Sequence, residues 1–336
     1  MRRATRLAWV VTPAVLLAGC DGWQSALDAH GTSAVSLKQL IILIVAVCSV
    51  VWMLVMIALI MALWRNRRER PLPVTPQPST QRRMTATVIA AVAATTVVIS
   101  GFTIMSFFAT RALGIGGNDE LTIKVRGLQW WWSVEYFGAR SEERFETANE
   151  IHIPVGRNVR FKLEGLDVIH SFWVPSLAGK QDLVPGRANE LIIRAEKPGI
   201  YRGQCAEFCG MQHAHMAFLV IAESPDEFDK WINAQRQPAV QPSEEELAGG
   251  QRTFLEKPCA ACHTVRGTAA SGTTGPDLTH VGSRKYIAAG LFETTRGSLA
   301  AWIADPQTIK PGNNMPMVPL TPEELRAVSA YLASLK

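Results

Sequence analysis

Two long stretches of this 336-residue chain contain no charged residue at all. They extend from Leu40 to Trp64 and from Met84 to Thr110. Each exceeds the ~20 apolar residues that cross a hydrocarbon core of ~30 Å. We therefore expect a membrane protein with two spanning helices, at about 40–64 and 84–110.

Basic residues outnumber acidic ones only in the segments that flank the two apolar stretches. The formal net charge is +5, but the two downstream domains described below carry nearly balanced acidic and basic residues, so nucleic-acid binding has no support. The surplus lies in the first residues and between the two apolar stretches, where one acid, Glu69, faces Arg65, Arg67, Arg68, Arg70, Arg82 and Arg83. By the positive-inside rule this loop lies in the cytoplasm, and both termini lie on the periplasmic side.

The N-terminus resembles a bacterial secretory signal. Arg2, Arg3 and Arg6 precede an apolar run, and residues 16–20 (LLAGC) resemble a lipoprotein cleavage box. We expect a lipoprotein-type signal peptide over 1–19 and lipidation of Cys20, followed by a segment 20–115 that contains both spans. Asp21 resembles a signal for retention in the inner membrane. The alternative is an uncleaved or ordinary signal.

Cysteines are few, six in all, and four of them fall into two short motifs. In the first, Cys205 and Cys209 are followed by His213 and Met216, with His170 upstream. Thiolate, imidazole and thioether ligands together suit copper. Zinc also binds cysteine and histidine but seldom thioether, and a Cys205–Cys209 disulfide would leave the other three residues without a role. The pattern favours a copper centre.

The second motif is Cys259 and Cys262 with His263 directly after them, the spacing of covalent c-type haem attachment. His263 is then one axial ligand, and His/Met ligation is the cytochrome c arrangement, which raises the haem potential. Met315 is the predicted second ligand, because Asn314 and Pro316 bracket it in a constrained downstream loop. Met317 is the alternative ligand, and a redox disulfide is the alternative reading of the two cysteines. The remaining Cys48 lies within an apolar run and is predicted to be an inert buried residue.

Alternation of apolar and polar residues begins at about Asp119. Short β-rich runs separated by glycine and proline turns predict a β-sandwich or barrel over 119–222; they are 121–125, 151–155, 159–163, 171–174, 190–194 and 216–221. A short helix at 225–231 and a polar linker follow within 223–242. The last domain, 243–336, reads as helical, with capping boxes predicted at Ser243 and Thr321 and a final helix from about Pro322 to Leu335.

These motifs together resemble subunit II of a haem–copper cytochrome c oxidase with a fused C-terminal cytochrome c domain, as in caa-type oxidases. The matching segments are GLQWWW at 127–132, DVIHSFWVP at 167–175, KQDLVPG at 180–186 and the cluster 205–216. The resemblance covers nearly the whole chain. It implies a two-helix transmembrane hairpin, an all-β cupredoxin-like CuA domain and an all-α cytochrome c domain.

The resemblance also implies a ligand set for the binuclear copper centre, CuA. Cys205 and Cys209 bridge two copper ions, His170 and His213 bind one copper each, and Met216 is a weak ligand. The main-chain carbonyl of Glu207 is the last ligand, and the Glu207 carboxylate reaches a magnesium ion at the interface with subunit I.

Other residues around this centre receive roles in the same way. Trp130 lies between the electron donor and CuA, whereas Trp131 and Trp132 are expected to pack. His215 matches no ligand position. Asp167 is a candidate hydrogen-bond acceptor for His170, and an ordinary exposed aspartate is the alternative.

The expected function is electron input to a respiratory terminal oxidase of the bacterial inner membrane. A cytochrome c donor reduces the fused haem c, the electron continues to CuA and to haem in subunit I, and oxygen is reduced to water there with proton translocation. Subunits I and III, the donor and the lipid bilayer are the expected partners. The alternatives are the CuA subunit of a nitric oxide reductase, and a membrane-tethered electron carrier or copper-handling protein.

One departure from the family concerns proton uptake. Relatives carry a glutamate near the start of the second span, but this chain has no acid between Arg82 and Arg111. The contribution of this subunit to that route is therefore in doubt.

Overall fold

The computed structural model describes residues 22–65, 78–112, 121–137 and 143–336. The predictions of a signal peptide, a cleavage box and lipidation at Cys20 fall outside these residues. The chain divides into a unit of apolar helices, Val35–Ile115, and a second unit made of Met1–Ala34 and Gly116–Lys336.

Two helices carry the apolar stretches. Helix α1 covers Thr32–Arg65 and α2 covers Pro78–Ala112, and both are long and apolar enough to cross a membrane. The predicted spans lie inside them, and apolar side chains such as Leu54 and Val97 are exposed, as suits a surface covered by lipid. Five threonine hydroxyls of α2 donate to the carbonyl four residues earlier, which satisfies them without water: Thr87, Thr95, Thr96, Thr103 and Thr110.

Ten strands among the described residues form the next domain, which we call the β domain (residues 121–223). They are β1 Leu121–Leu128, β2 Trp131–Tyr136, β3 Phe145–Ala148, β4 Glu150–Pro154, β5 Val159–Gly165, β6 His170–Trp173, β7 Gln181–Leu183, β8 Asn189–Ile193, β9 Gly199–Cys205 and β10 Ala217–Glu223. One sheet has the order β3-β2-β1-β5-β8 and the other β4-β10-β9-β6-β7. Neighbours are antiparallel except for the pairs β1–β5 and β4–β10.

The core of the β domain lies between the two sheets. Leu121, Ile123 and Val125 of β1 point into it while the residues between them are half-buried, which is the period of two expected of a sheet with one covered face. Four aromatic rings pack at its centre with centroids 4.4–5.9 Å apart; they belong to Trp132, Phe161, Phe172 and Phe218. The predicted β-sandwich is confirmed.

A helix follows the last strand where the sequence predicted a short helix and then a polar linker. Helix α3, Pro225–Arg236, begins with a capping box between Ser224 and Glu227. Phe228 and Ile232 bury their side chains in the β domain core. Further on, Ala239 is buried in the C-terminal domain, and its amide donates to the carbonyl of Arg266 at 2.9 Å. The structure therefore differs from a flexible linker over 223–242, because both ends of this segment are packed.

The C-terminal domain (residues 245–336) contains helices α4 Glu245–Glu256, α5 Cys259–Cys262, α6 Arg296–Ala304, α7 Pro306–Ile309 and α8 Pro322–Ser334. Helix α8 packs on α4 and α6, and Phe254, Leu299 and Tyr331 share the core between them. Two short strands, Tyr286–Ile287 and Phe292–Glu293, pair antiparallel in this domain. The domain is helical, as predicted.

The two predicted capping boxes have different outcomes. Thr321 and Glu324 form one at the start of α8, which confirms that prediction. The prediction at Ser243 is wrong: α4 begins after Glu244, whose side chain makes no capping hydrogen bond. A serine at that position is one residue too early to reach the free amides of the first turn.

Candidate copper and haem sites

The loop between β9 and β10 gathers most of the predicted copper ligands. Strand β9 ends at Cys205 and β10 begins after Met216, whose carbonyl accepts a hydrogen bond from the amide of Cys205 at 2.9 Å. Gly210 turns the chain with φ of +113°, and a single 3-10 turn follows at His213–His215. The chain therefore folds back, so that residues 209–216 lie over the end of β9.

His170 reaches the same place from the neighbouring strand. Strand β6 pairs with β9 so that Phe172 faces Cys205, and His170 is fully buried. Gly127 lies against its ring: a Cβ at that position would approach Cδ2 of His170 at 2.8 Å. Glycine is needed there because any side chain would push the imidazole out of place.

The ligand atoms converge around the two sulphurs. Sγ of Cys205 lies 3.8 Å from Sγ of Cys209, 3.8 Å from Nδ1 of His170 and 3.2 Å from the carbonyl oxygen of Glu207. Sγ of Cys209 lies 3.7 Å from Nδ1 of His213 and 3.9 Å from Sδ of Met216. Both cysteines are free, and their separation is far beyond the ~2.05 Å of a disulfide bond. Two sulphurs at this distance can both contact one ion with bonds of about 2.3 Å, so the donor set fits a metal.

Charge in this cluster is concentrated on the sulphurs. The hydrogen bond between the two thiols is the main cause that lowers the pKa of Cys205 to about 3, and it raises the pKa of Cys209. Burial alone would lower the pKa of His170, but Cys205 and Asp167 outweigh it and raise that pKa. The two sulphurs therefore titrate as a coupled pair.

Asp167 fixes the orientation of the His170 ring. Its Oδ1 accepts a hydrogen bond from Nε2 of His170 at 2.8 Å and its Oδ2 accepts one from the amide of Gln129 at 2.6 Å. The other nitrogen, Nδ1, is thereby directed at Cys205. Of the two alternatives for Asp167, the structure supports the hydrogen-bond acceptor.

Trp130 contacts the cysteine loop directly. Its ring is buried, and Nε1 donates to the carbonyl oxygen of Cys209 at 2.9 Å, beside Gln129, whose side-chain amide donates to the same oxygen at 2.7 Å. Trp132 packs in the core with its ring edge on His170, as expected, and Trp131 is half-buried.

Two further residues of the loop are more exposed. His215 is exposed and contacts Oε1 of Gln212 through Nδ1 at 3.0 Å. The Glu207 carboxylate, predicted to reach magnesium, is 44% exposed and lies 3.6 Å from Nζ of Lys180.

The haem motif forms a separate cluster in the C-terminal domain. Cys259 and Cys262 are the first and last residues of α5, and both thiols are free. Nδ1 of His263 lies 2.8 Å from the carbonyl oxygen of Pro276 and donates to it, which leaves Nε2 available to bind iron. Burial is the main cause that lowers the pKa of His263, so the ring is neutral, as a ligand must be.

The two candidate methionines differ in their surroundings. Met315 packs against the core that also contacts Cys259, whereas Met317 is 63% exposed. Gln307 and Asn313 hold the Met315 loop: Nε2 of Gln307 donates to the carbonyl of Met315 at 2.8 Å, and Oδ1 of Asn313 accepts from its amide at 2.7 Å. Two thiols, a neutral imidazole and a half-buried thioether around one apolar core fit haem c.

Comparison with known proteins points to the same chemistry. A family model described as "Cytochrome C oxidase subunit II, periplasmic domain" matches residues 138–223, and one described as "Cytochrome c" matches residues 247–336. Cytochrome c oxidase subunit 2 of Alkalihalophilus pseudofirmus is 36% identical over 329 residues, which is 96% of this chain and 94% of that protein. The chain belongs to the cytochrome c oxidase subunit 2 family.

Other relatives of this subunit match smaller parts. Cytochrome c oxidase subunit 2 of Bacillus subtilis is 33% identical over 234 residues, covering 66% of this chain and 64% of that protein. The solved periplasmic domain of subunit II of cytochrome oxidase of Bradyrhizobium japonicum has 34% identity, covers 36% of this chain and 97% of its own, and gives a TM-score of 0.34.

Family membership confirms the broad expectations. As a subunit 2 with a cytochrome c domain, the chain is part of a haem–copper terminal oxidase and serves its electron input. Its two domains imply CuA copper and haem c. It associates with other oxidase subunits such as subunit I, and its two apolar helices with a periplasmic domain fit an inner-membrane protein.

Proposed function

We propose that this subunit takes electrons from a cytochrome c donor into its C-terminal domain and passes them through the β domain to subunit I. Oxygen is reduced to water in subunit I, and the reaction is coupled to proton translocation. Both domains lie on the periplasmic side, and subunit III completes the complex. The observation that supports this proposal is that candidate ligands for two redox cofactors occur in one compact unit.

In this proposal His170, Cys205, Cys209, His213, Met216 and the carbonyl of Glu207 hold CuA. Cys259 and Cys262 attach haem c, and His263 and Met315 are its axial ligands. When bound, copper and haem supply reversible one-electron chemistry and need no open coordination position for substrate. The Glu207 carboxylate binds magnesium at the interface with subunit I, and Cys20 carries the lipid.

The chain's own residues keep these ligands in place between redox states. Asp167 holds the His170 ring through Nε2, and Gly127 leaves room for that ring. Trp130 and Gln129 both donate to the carbonyl oxygen of Cys209, which limits movement of the cysteine loop. Preorganised ligands reduce the rearrangement that accompanies electron transfer. Trp130 is the residue through which electrons enter the copper site.

Purification of the complex tests the function. The complex should consume oxygen when supplied with reduced cytochrome c, and the activity should be lost in Cys209→Ser but kept in Cys48→Ser, since Cys48 lies in α1 apart from both ligand sets. Consumption of nitric oxide in place of oxygen would contradict the oxidase function. Oxygen consumption that survives in Cys209→Ser would contradict electron input through the β domain.

A further inference from the structure

A lysine of the C-terminal domain is buried against the β domain. Lys310 directly follows α7 and is only 2% exposed. Its Nζ donates to the carbonyl oxygens of Trp130 at 2.7 Å, His215 at 2.8 Å and Ala288 at 3.3 Å. An ammonium group has three donors, so all of them are used. Two of the acceptors belong to the β domain and the third to the C-terminal domain.

Main-chain groups on both sides of this lysine add to the contact. Nε2 of Gln212 donates to the carbonyl oxygen of Pro311 at 2.9 Å. The amide of Ala217 donates to the carbonyl oxygen of Ala289 at 3.1 Å. Gly312 has φ of +82°, and a Cβ there would lie 2.7 Å from Cε of Met211 and 3.5 Å from Cη2 of Trp130. The loop that follows Lys310 therefore lies directly on the cysteine loop and its tryptophan.

Lys310 connects the two candidate cofactor sites through a series of hydrogen bonds and one loop. On one side its loop continues to Met315, held by Gln307 and Asn313. On the other side its ammonium group binds the carbonyl of Trp130, whose indole binds the carbonyl of Cys209. A tunnelling rate falls exponentially with distance, so a residue that fixes this approach controls the rate.

The chemistry of the contact explains why a lysine is placed there. Burying an ammonium ion is unfavourable, and burial is the main cause that lowers the pKa of Lys310 to about 7. Among the residues that the structure describes, its hydrogen-bond acceptors are all main-chain carbonyls. A variant without a donor at this position would leave these carbonyls buried and unpaired. The contact between the β domain and the C-terminal domain would then be less stable.

We infer that Lys310 is a positioning residue that locks the Met315 loop against Trp130, so that the two redox domains work as one preassembled unit. This inference rests on the proposed function, because it specifies how electrons pass from the C-terminal domain to the β domain. It differs from a tethered domain that must find the copper site by repeated encounters.

The inference is tested with Lys310→Met in the purified complex, which keeps the length of the side chain but removes its donors. Lys336→Met, at an exposed lysine of the same domain, is the matched control, and Lys310→Gln retains an amide donor. Pulsed EPR measures the distance distribution between the two oxidised, paramagnetic centres. We expect one narrow distribution in the unmodified protein and in the control, and a broad second component in Lys310→Met. The undocked population should rise by about tenfold or more, since tenfold is the effect of losing one of the three hydrogen bonds to the charged group, and Lys310→Gln should lie between.

The rate of internal transfer, measured after photochemical reduction of the haem, is the second readout. It should become slower and multiphasic in Lys310→Met and stay unchanged in the control Lys336→Met. If that variant does not load copper, Gly312→Ala tests the same contact, since the added methyl meets Met211 and should broaden the distribution. A narrow distribution and an unchanged rate in these variants would overturn the role of Lys310. If the unmodified protein transfers no electron from haem to copper, the proposed function is refuted instead. The distance distribution of that protein still shows whether the two domains are docked.

Discussion

At the scale of single residues, Cys209 contacts both the other copper ligands and the segment that contains Trp130. Its sulphur lies within 3.9 Å of Cys205, His213 and Met216. Its carbonyl accepts hydrogen bonds from Trp130 and Gln129. One residue thus joins the ligand cluster to the segment on which the C-terminal domain docks.

We predict that Cys209→Ser abolishes the copper centre and leaves haem attachment intact. A hydroxyl is a poor substitute for a bridging thiolate, while Cys259 and Cys262 lie in α5 of the C-terminal domain. The thiolate-to-copper absorption of the copper-loaded chain should disappear, and the covalent haem content should not change. Cys48→Ser is the control. Persistence of the absorption in Cys209→Ser would show that the bridging assignment is wrong.

The haem ligand is the second prediction at this scale. Met315→Leu should keep covalent haem but lower its potential by roughly 0.1 V or more, because thioether ligation favours ferrous iron and axial ligands set the potential over ~0.8 V. Met317→Leu should leave the potential unchanged, since its side chain is exposed. A redox titration of both variants decides the matter. The opposite pattern would move the ligand to Met317.

Residue types and spacing were enough to find the candidate ligands and Asp167 beside His170, but not the other residues that support the ligands. Soft ligands within twelve positions and the spacing of Cys259 and Cys262 carry their chemistry in the local sequence. Lys310 does not, because its partner Trp130 is 180 positions away. The need for glycine at position 127 is not visible in the local sequence either, because the ring that it must accommodate comes from another strand.

Among the elements, β4, β10 and α3 enclose a second buried polar cluster. His152 of β4 lies between two carboxylates: Nε2 is 3.2 Å from Oε1 of Glu150, and Nδ1 contacts Glu223. Its ring stacks on Trp231 of α3 with centroids 4.0 Å apart, and the Tyr136 hydroxyl accepts from its amide at 2.7 Å. Burial alone would lower the pKa of His152, but the two carboxylates outweigh it and raise that pKa above 6.5.

This cluster predicts how stability depends on pH. A histidine whose pKa is raised on folding stabilises the protein fully below pH 6.5, and the contribution is lost as pH rises through the folded pKa. We expect the β domain to unfold at lower denaturant concentration as pH rises through that window. His152→Gln should cost about 1–3 kcal/mol at pH 6, the value of hydrogen bonds to a charged group, and should flatten this dependence.

Denaturant unfolding followed by tryptophan fluorescence across a pH series provides the measurement. His215→Gln is the matched control, because His215 is exposed and has no carboxylate partner among the described residues. A pH dependence that is the same in His152→Gln and in the unmodified chain would contradict the prediction.

Six of the ten described strands were predictable from the sequence. Alternating runs found β1, β4 and β5, and β-rich runs found β6, β8 and β10. Strand β2 escaped because five consecutive residues are buried, including Glu135, which breaks an apolar pattern. That carboxylate is fully buried with Arg126 and Arg144 as partners, a compensation that only the folded chain reveals.

At the scale of the whole molecule, the second unit unites the β domain and the C-terminal domain through a closed contact. The polar composition of segment 233–242 predicted a linker between the two domains. In the structure, α3 extends to Arg236 and the following residues pack on the C-terminal domain. Composition could not show this, since the contacts of Lys310 and Gln212 that close the interface involve residues from distant segments.

The closed contact predicts a weak effect of salt on internal electron transfer. Lys310 binds neutral carbonyls, so screening by salt should weaken this contact little. Exposed charges that steer an external donor lose their effect as the Debye length falls from ~30 Å at 0.01 M to ~3 Å at 1 M. We expect the rate from haem to copper to change by less than about twofold over that range, and the rate with an external cytochrome c donor to change by about tenfold or more. Flash photolysis gives the first rate and stopped-flow mixing gives the second. The prediction is wrong if the internal rate falls as steeply with salt as the bimolecular rate. Charge attraction would then hold the domains together in the working protein, instead of hydrogen bonds to carbonyls.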